Sequence, residues 1–272
     1  MTAAQTPKRV RARHLAWVEE RLSERDWSIL EAVNRLHLVT GVQVERLFFV
    51  DLAPRSRIVS RSRSLSRLVT WRVLVRLPRR IGGAQRGSTV AVYALGPAGQ
   101  RLLAQQANSE QNPPAIRKVG VPSDRFVAHI LAVSELYVCL VEAGRIGTFV
   151  LRQFTTEPAA WWPNERGGWL KPDAFFVVSN GQVDHLWWAE VDRATESAAT
   201  VHRKLRTYLD FVNRGGLGPR QAIPRVLVTV PHERRQHVIH SQLARLPLPA
   251  PELFHVVLHN DAASWVTETL NR

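Results

Sequence analysis

One stretch, residues 170–208, constrains the fold more than any other part of the chain. Two runs of apolar and β-branched residues, at 174–178 and 185–191, flank the sequence Ser-Asn-Gly-Gln. Asn and Gly tolerate the positive φ angles of a tight turn, so the two runs are predicted to form a β-hairpin. Apolar residues then recur at positions 201, 205, 208 and 209, the spacing of one helix face. The stretch therefore predicts strand, turn, strand and helix.

Three carboxylates occupy the ends of this predicted hairpin. Asp173 opens the first strand, and Glu190 and Asp192 close the second. Alternate residues of a strand share a face, so Glu190 and Asp192 are expected roughly 6.5–7 Å apart, with Asp173 nearby across the hairpin. Three converging carboxylates repel one another, and at least one pKa should rise unless a cation is present. Mg²⁺ or Mn²⁺ is the expected cofactor, because such hard cations prefer oxygen ligands.

The order of these residues resembles the PD-(D/E)XK nuclease superfamily. The resemblance lies in Asp173 after a proline, Glu190 and Asp192 after the hairpin, and Lys204 on the following helix. It implies that Asp173 and Glu190 hold a divalent metal and that a lysine assists catalysis. In the usual pattern the lysine lies two residues after the Glu, where this chain has Asp192. In some members the lysine lies on the next helix, so Lys204 is the catalytic candidate beside the two acids.

A longer string, AEVDRATESAATVHRKLRTY at residues 189–208, resembles the replication-relaxation family of actinobacterial and plasmid proteins. This resemblance extends over about residues 22–243. It implies a DNA-binding protein of plasmid or mobile-element replication or DNA processing, built from a winged helix and a nuclease-like domain.

Positive charge is concentrated in the first half of the sequence. Residues 1–122 contain 21 Lys and Arg against 8 Asp and Glu, whereas residues 123–272 contain 16 against 15. A strongly basic half beside a nearly neutral one predicts binding to a polyanion, and nucleic acid is the commonest polyanion. General solubility charge is the alternative, but it would not produce this asymmetry.

The basic half has the element pattern of a DNA-binding fold. Apolar periodicity predicts helices at about 22–36, 42–49 and 56–69, and strands follow at 74–80 and 88–95. Three helices and a β-hairpin resemble a winged helix-turn-helix, which places its third helix in the major groove of double-stranded DNA. A solvated amphipathic helix is the alternative for the third helix. The candidate DNA-binding residues are Arg57, Arg61, Arg63, Arg67, Arg79, Arg80 and Arg86.

Composition shifts divide the chain into four segments. Residues 107–121 contain Asn, Gln and Pro without periodicity, which is typical of a linker. Strands alternating with helices after this linker predict a mixed central sheet, and hence an α/β fold. The predicted segments are a basic flexible tail at 1–20, a winged helix at 21–104, a linker at 105–122 and a PD-(D/E)XK nuclease-like α/β domain at 123–272.

A long apolar helix is predicted at 124–143, before the first strand of the second domain. In the nuclease superfamily this helix often contributes an acidic residue to the site, so Glu135 is a further metal-ligand candidate beside Asp173, Glu190 and Asp192. A Glu that faces solvent or pairs with an arginine is an equal alternative.

Composition also excludes other classes. The single cysteine, Cys139, excludes a disulfide framework and argues against a zinc–cysteine site. The N-terminus has no apolar signal segment, and no run reaches the ~18 apolar residues of a membrane span. No Gly-Lys-Ser/Thr sequence indicates a phosphate-binding loop. We therefore expect a soluble, cytoplasmic protein associated with the nucleoid or a plasmid.

Two functions remain open at this point. In the first, the chain binds DNA and cuts it with a Mg²⁺-dependent endonuclease site. In the second, a non-cutting regulator of replication or transcription uses a degenerate nuclease-like domain for partner contact or as a homodimer. Asp192, in place of the usual lysine, is the main support for the second. Ordinary solvated acids at strand ends are a weaker third interpretation.

Overall fold

The chain forms two compact units in the computed structural model. The structure describes residues 10–82, 89–106, 123–147, 149–164 and 167–270, with the backbone alone at 78–82 and 89. Packing divides the chain between Leu131 and Ala132. Helices and a mixed central sheet confirm the predicted α/β class. The winged-helix and nuclease-like assignments, and the domain boundaries, stay predictions.

Five helices of the described part of the chain belong to the first unit. They are α1 (Ala12–Glu19), α2 (Glu24–Leu36), α3 (Gly41–Phe48), α4 (Pro54–Thr70) and α5 (Pro97–Gln106). Ser23 and Asp26 form a capping box before α2, and Thr40 and Gln43 form another before α3. In each box the hydroxyl accepts a backbone N–H of the first turn, while the later side chain accepts the N–H of the capping residue. The sequence therefore specifies where both helices begin.

A three-stranded antiparallel sheet completes the first unit, in the order β1-β3-β2. The strands are β1 (Leu38–Thr40), β2 (Leu74–Gly82) and β3 (Thr89–Leu95). The hairpin of β2 and β3 follows α4, as predicted. At Gly96, where β3 leads into α5, an added Cβ would lie 2.3 Å from the carbonyl oxygen of Arg72, so the chain requires glycine there.

The N-terminal segment differs from the predicted tail. Leu15 and Val18 of α1 are buried, and the Nε2 atom of His14 lies 3.0 Å from the Trp71 carbonyl oxygen. Burial of this apolar face gives the segment a fixed place, so residues 12–19 belong to the first unit. Residues 1–9, and the predicted linker from residue 107 to 122, lie outside the described residues.

The long helix α6 (Asp124–Arg145) contains the division between the units. In the first unit, Val127, Ile130 and Leu131 share an apolar cluster with residues of β1, β2 and β3. Gln43 donates to the Leu131 carbonyl at 3.2 Å. Among the described helices, α6 is long and apolar enough to cross a membrane, with a mean hydropathy of 1.7. A buried core helix passes the same test, so this property is weak evidence for a membrane.

The second unit is built on a five-stranded mixed sheet in the order β10-β9-β8-β7-β4. Its strands are β4 (Val150–Thr156), β7 (Ala174–Ser179), β8 (Asp184–Val191), β9 (Arg225–Val230) and β10 (Phe254–Leu258), and a short separate pair is formed by β5 (Trp162–Pro163) and β6 (Trp169–Leu170). Strands β8, β9 and β10 run parallel, whereas β7 is antiparallel to both β4 and β8. Every residue of β7, the first strand of the predicted hairpin, is buried.

The predicted turn between β7 and β8 is confirmed. Gly181 has a φ of 91°, which other residues rarely adopt. The Oδ1 atom of Asn180 accepts the backbone N–H groups of Gln182 and Val183 at 3.1 and 3.0 Å. These contacts set the register of the two strands and hence the positions of the acids at their far ends.

Helices cover the sheet of the second unit. They are α7 (Ala198–Asn213), α8 (Glu233–Leu243), α9 (Ala250–Leu253) and α10 (Ala262–Leu270). The predicted apolar face of α7, which includes Val201 and Leu205, is buried in one cluster with Trp188 of β8. This packing brings the first turns of α7 to the end of β8.

Candidate functional site

Asp173, Glu190 and Lys204, the residues predicted as catalytic, form one group beside the sheet. Glu190 is the second-last residue of β8, and Asp173 immediately precedes the neighbouring strand β7. Lys204 lies on α7, and its Nζ atom contacts the Oε2 atom of Glu190. The Oδ2 atom of Asp173 accepts the backbone N–H of Val191 at 2.7 Å, which anchors Asp173 to the same end of β8.

Tyr208 is a fourth member of this group. Its hydroxyl donates to the Oε1 atom of Glu190. Residues four apart share a helix face, so Lys204 and Tyr208 together engage both oxygens of one carboxylate. The sequence pattern indicates Tyr208 only as a core residue. The spacing of Lys204 and Tyr208, shortly after the acidic strand end, is the signal that could have identified it.

Burial controls the charge of the group. Glu190 and Asp173 are 4% and 7% exposed, whereas the side chain of Lys204 is 37% exposed and forms the edge toward solvent. Burial and, less strongly, the nearby Asp173 carboxylate raise the pKa of Glu190 to about 7, although Lys204 and Tyr208 favour its ionised form. Burial opposes the ammonium form of Lys204, but the carboxylates of Glu190 and Asp173 outweigh it and raise the Lys204 pKa.

Asp192 does not join the other two carboxylates of the hairpin. Arg235 of α8 donates from Nε and from a terminal nitrogen to the two oxygens of Asp192, at 2.8 and 2.6 Å. Both side chains are 8% exposed. These bonds with Asp192 raise the pKa of the Arg235 guanidinium. Two of the three predicted carboxylates therefore lie together, those of Asp173 and Glu190. The third, Asp192, is neutralised by Arg235, which is distant along the chain but adjacent in space.

Glu135 has a different neighbour. The thiol of Cys139, one turn later on α6, lies 3.7 Å from its Oε1 atom. Within the described part of the chain, no three His, Cys, Asp or Glu residues form a group that could hold a metal. Glu135 and Asp192 therefore do not complete a cluster of acidic ligands with Asp173 and Glu190.

Asp173 and Glu190 are the carboxylates to be considered as ligands of a divalent cation. Mg²⁺ commonly uses one or two protein carboxylates and completes its shell with water and phosphate. Asp173 and Glu190 offer the oxygen ligands of such a site, and they lie close enough that the Asp173 carboxylate, after burial, raises the pKa of Glu190. Lys204 contacts one oxygen of Glu190, so the ammonium and a metal would compete for that oxygen.

In the first unit, Arg67 of α4 is directed to an internal partner. A terminal nitrogen of its guanidinium lies 2.7 Å from each carboxylate oxygen of Asp26. Asp26 is 1% exposed, and its carboxylate also accepts the N–H of Ser23 in the capping box. Arg67 stacks over the Trp71 ring, 5.2 Å from the centroid. This predicted DNA-binding residue therefore holds α4 to the start of α2.

Two more of the predicted arginines have partners within the first unit. Arg57 donates to the carbonyl oxygens of Leu52 and Val50, at 2.6 and 2.7 Å. Arg61 pairs with Glu45 of α3 at 2.6 Å. These contacts fix the connection from α3 to α4 and leave less of both guanidinium groups for DNA.

The outward arc of α4 contains a different set of residues. Arg63 is exposed and, among the described residues, has no ion pair or hydrogen-bond partner. The same holds for Arg55, which is not one of the predicted DNA-binding residues. Its position about two helical turns before Arg63 would have identified it. The exposed arc consists of Arg55, Ser56, Ile58, Val59, Ser62, Arg63 and Ser66.

The three predicted wing residues cannot be placed in the same way. Arg86 lies outside the described residues, and so do the side chains of Arg79 and Arg80. Their contact with DNA stays a prediction.

Comparison with known proteins agrees with the sequence pattern. A family model described as replication-relaxation matches residues 30–226. The match includes α3, α4, the β7–β8 hairpin and all of α7. No curated protein matches the chain.

Proposed function

The chain belongs to the replication-relaxation family, which suggests a role in the replication or processing of plasmids or mobile elements. From this premise we propose that it binds double-stranded DNA through its first unit and carries a Mg²⁺- or Mn²⁺-dependent endonuclease site in its second. The observation that carries the second part is the contact of Lys204 with Glu190 beside Asp173.

The DNA-binding part is supported by element order and charge. Helices α2, α3 and α4, followed by the β2–β3 hairpin, have the order of a winged helix-turn-helix. Helix α4 contains five arginines and no acidic residue. In a winged helix, the third helix enters the major groove, where arginine contacts phosphates or guanine edges.

The endonuclease part is supported by the types of residue in the buried group. When bound by Asp173 and Glu190, a divalent metal supplies Lewis-acid stabilisation of charge on a phosphodiester. The partly exposed ammonium of Lys204 stabilises negative charge that develops on the phosphate during cleavage. Tyr208 orients Glu190 by donating to Oε1. Asp173 is held in place by the Val191 N–H.

A non-cutting regulator is the second candidate. This candidate is supported by the partners that the acidic residues already have within the second unit. Lys204 and Tyr208 engage Glu190, and Arg235 neutralises Asp192. Both acids of the pair are also almost fully buried. In this alternative the group stabilises the second unit and the chain acts through DNA binding alone.

DNA binding is tested with the full-length chain and a labelled duplex over a range of salt concentrations. The logarithm of the binding constant should fall linearly with the logarithm of salt, with a slope of about −0.9 for each phosphate contacted. Six contacts would give a slope near −5 on the same scale. A slope of zero, or no binding at low salt, would contradict the DNA-binding proposal.

Cleavage is tested on supercoiled, linear and single-stranded DNA with Mg²⁺, Mn²⁺ or a chelator. We expect metal-dependent products, and their loss in Asp173→Asn, Glu190→Gln and Lys204→Met. Arg206→Met is the matched control, because it removes an exposed positive charge from the same helix. If the unmodified protein binds DNA but leaves all three substrates intact, the non-cutting regulator is the correct function.

A further inference from the structure

We propose that α4 recognises a thymine-containing sequence in the major groove through a row formed by Arg55, Val59 and Arg63. This inference rests on the proposed DNA binding. It adds the residues that read the bases and the chemical group that they recognise.

The row follows from helix geometry. Each residue advances about 100° around an α-helix, so positions 55, 59 and 63 lie on one face, one turn apart. Arg55 and Arg63 are exposed, and Val59 between them is 47% exposed. The buried side of α4 is formed by Leu65 and Leu68. Hence the row points away from the core of the first unit.

Within the described residues, three of the five arginines of α4 are engaged by partners in the first unit, and the two in this row are not. Arg57 and Arg61 bind groups of the α3–α4 region, and Arg67 binds Asp26. In the described part of the chain, Arg55 and Arg63 have no such partner. A surface with two free guanidinium groups and no acid on its helix complements a polyanion. A second copy of the same surface would instead repel it.

The apolar member of the row indicates what is read. Thymine is the base that presents a methyl group in the major groove, and small apolar side chains contact it there. Val59 offers two methyl groups at the position between the arginines. Ser62 and Ser66, on the same arc, are short enough to allow close approach of the helix to the bases. Ile58, 53% exposed, extends the apolar surface at one edge.

The experiment begins with selection of preferred duplexes from a random library by the full-length chain. Binding is then measured to the selected duplex and to versions in which one thymine at a time is replaced by deoxyuridine, which lacks only the methyl group. We expect one such replacement to weaken binding about fourfold, the effect of losing one buried methyl-sized contact. In Val59→Ser, which replaces both methyl groups with a polar hydroxyl, the same replacement should have little or no effect.

Val183→Ser is the matched control, because Val183 is an exposed valine on the β7–β8 turn of the second unit. It should retain the full effect of deoxyuridine. Arg63→Ala should lower affinity for the selected duplex without removing that effect. Equal affinity for thymine and deoxyuridine duplexes, or no selected sequence at all, would overturn the thymine inference while leaving DNA binding intact. No binding to any duplex would instead contradict the proposed function.

Discussion

Lys204 of α7 contacts the carboxylate of Glu190, which lies at the end of the neighbouring strand β8. A buried carboxylate without a counter-charge would be costly, and removal of one partner from a buried pair is strongly destabilising. Lys204 therefore has a structural role whether or not the site binds a metal. Activity and stability must be measured together in variants of this group.

The pH dependence of stability should report the buried acid. The pKa of Glu190 is about 7 in the folded chain, against an ordinary value of 4.5. Between these pH values the folded state binds more protons than the unfolded state, so the free energy of unfolding should fall as pH rises. Over the whole interval the expected loss is about 3 kcal/mol. Chemical denaturation in the presence of a chelator should show a weaker pH dependence in Glu190→Gln, whereas Asp210→Asn, on the surface of α7, should keep it.

Removal of the Tyr208 hydroxyl should shift that pH dependence. The hydroxyl donates to Glu190 and favours its ionised form. Tyr208→Phe should therefore raise the Glu190 pKa and move the midpoint of the pH-dependent fall in unfolding free energy to higher pH. The aromatic ring, 5.6 Å from Trp188 between centroids, is retained in this variant. An unchanged midpoint would show that the hydroxyl does not control the Glu190 carboxylate.

A divalent metal should stabilise the folded chain. The expected gain is RT ln(1 + [L]/Kd), about 2.7 kcal/mol at a hundredfold excess over Kd. Asp173→Asn and Glu190→Gln should abolish the gain in thermal unfolding with Mg²⁺ or Mn²⁺. Lys204→Met should preserve or increase it, because the competing ammonium is absent. If the unmodified chain shows no gain, the metal site is refuted.

Arg235→Ala should destabilise the second unit. It leaves Asp192 buried without its partner, and the expected cost is about 3–5 kcal/mol. Arg234→Ala removes an adjacent exposed arginine and should change stability by less than about 0.5 kcal/mol. Equilibrium urea unfolding of both variants gives the comparison. Equal stability of the two would show that the Asp192–Arg235 pair contributes nothing.

Arg67→Ala and Arg63→Ala should separate stability from DNA binding. Arg67 bonds to buried Asp26, so its removal should lower the free energy of unfolding by about 1–3 kcal/mol. Arg63 has no such partner among the described residues, so its removal should spare stability and weaken DNA binding. Unfolding and duplex-binding measurements on both variants test this division. If Arg67→Ala instead weakened DNA binding and left stability unchanged, Arg67 would be a DNA-binding residue.

Local chemistry in the sequence determined most element boundaries. The reciprocal bonds of Ser23 and Asp26 need only residues three apart, and the Asn180–Gly181 turn needs only four consecutive residues. The buried face of α7 likewise follows from apolar spacing. The predicted meeting of Asp173 with Glu190 also held, because strand pairing about a short turn fixes which residues lie opposite.

Only the tertiary structure decided which charges are free. Arg67 and Arg63 are alike in sequence, yet one faces Asp26 of another helix and the other faces solvent. Asp192 and Glu190 are equivalent in the hairpin pattern, but α8 places Arg235 against Asp192. Such pairs join residues that are distant along the chain, and a long flexible side chain reaches a partner that local periodicity does not specify. The packing of one element on another therefore determines which charges neutralise each other inside the protein and which remain free at its surface.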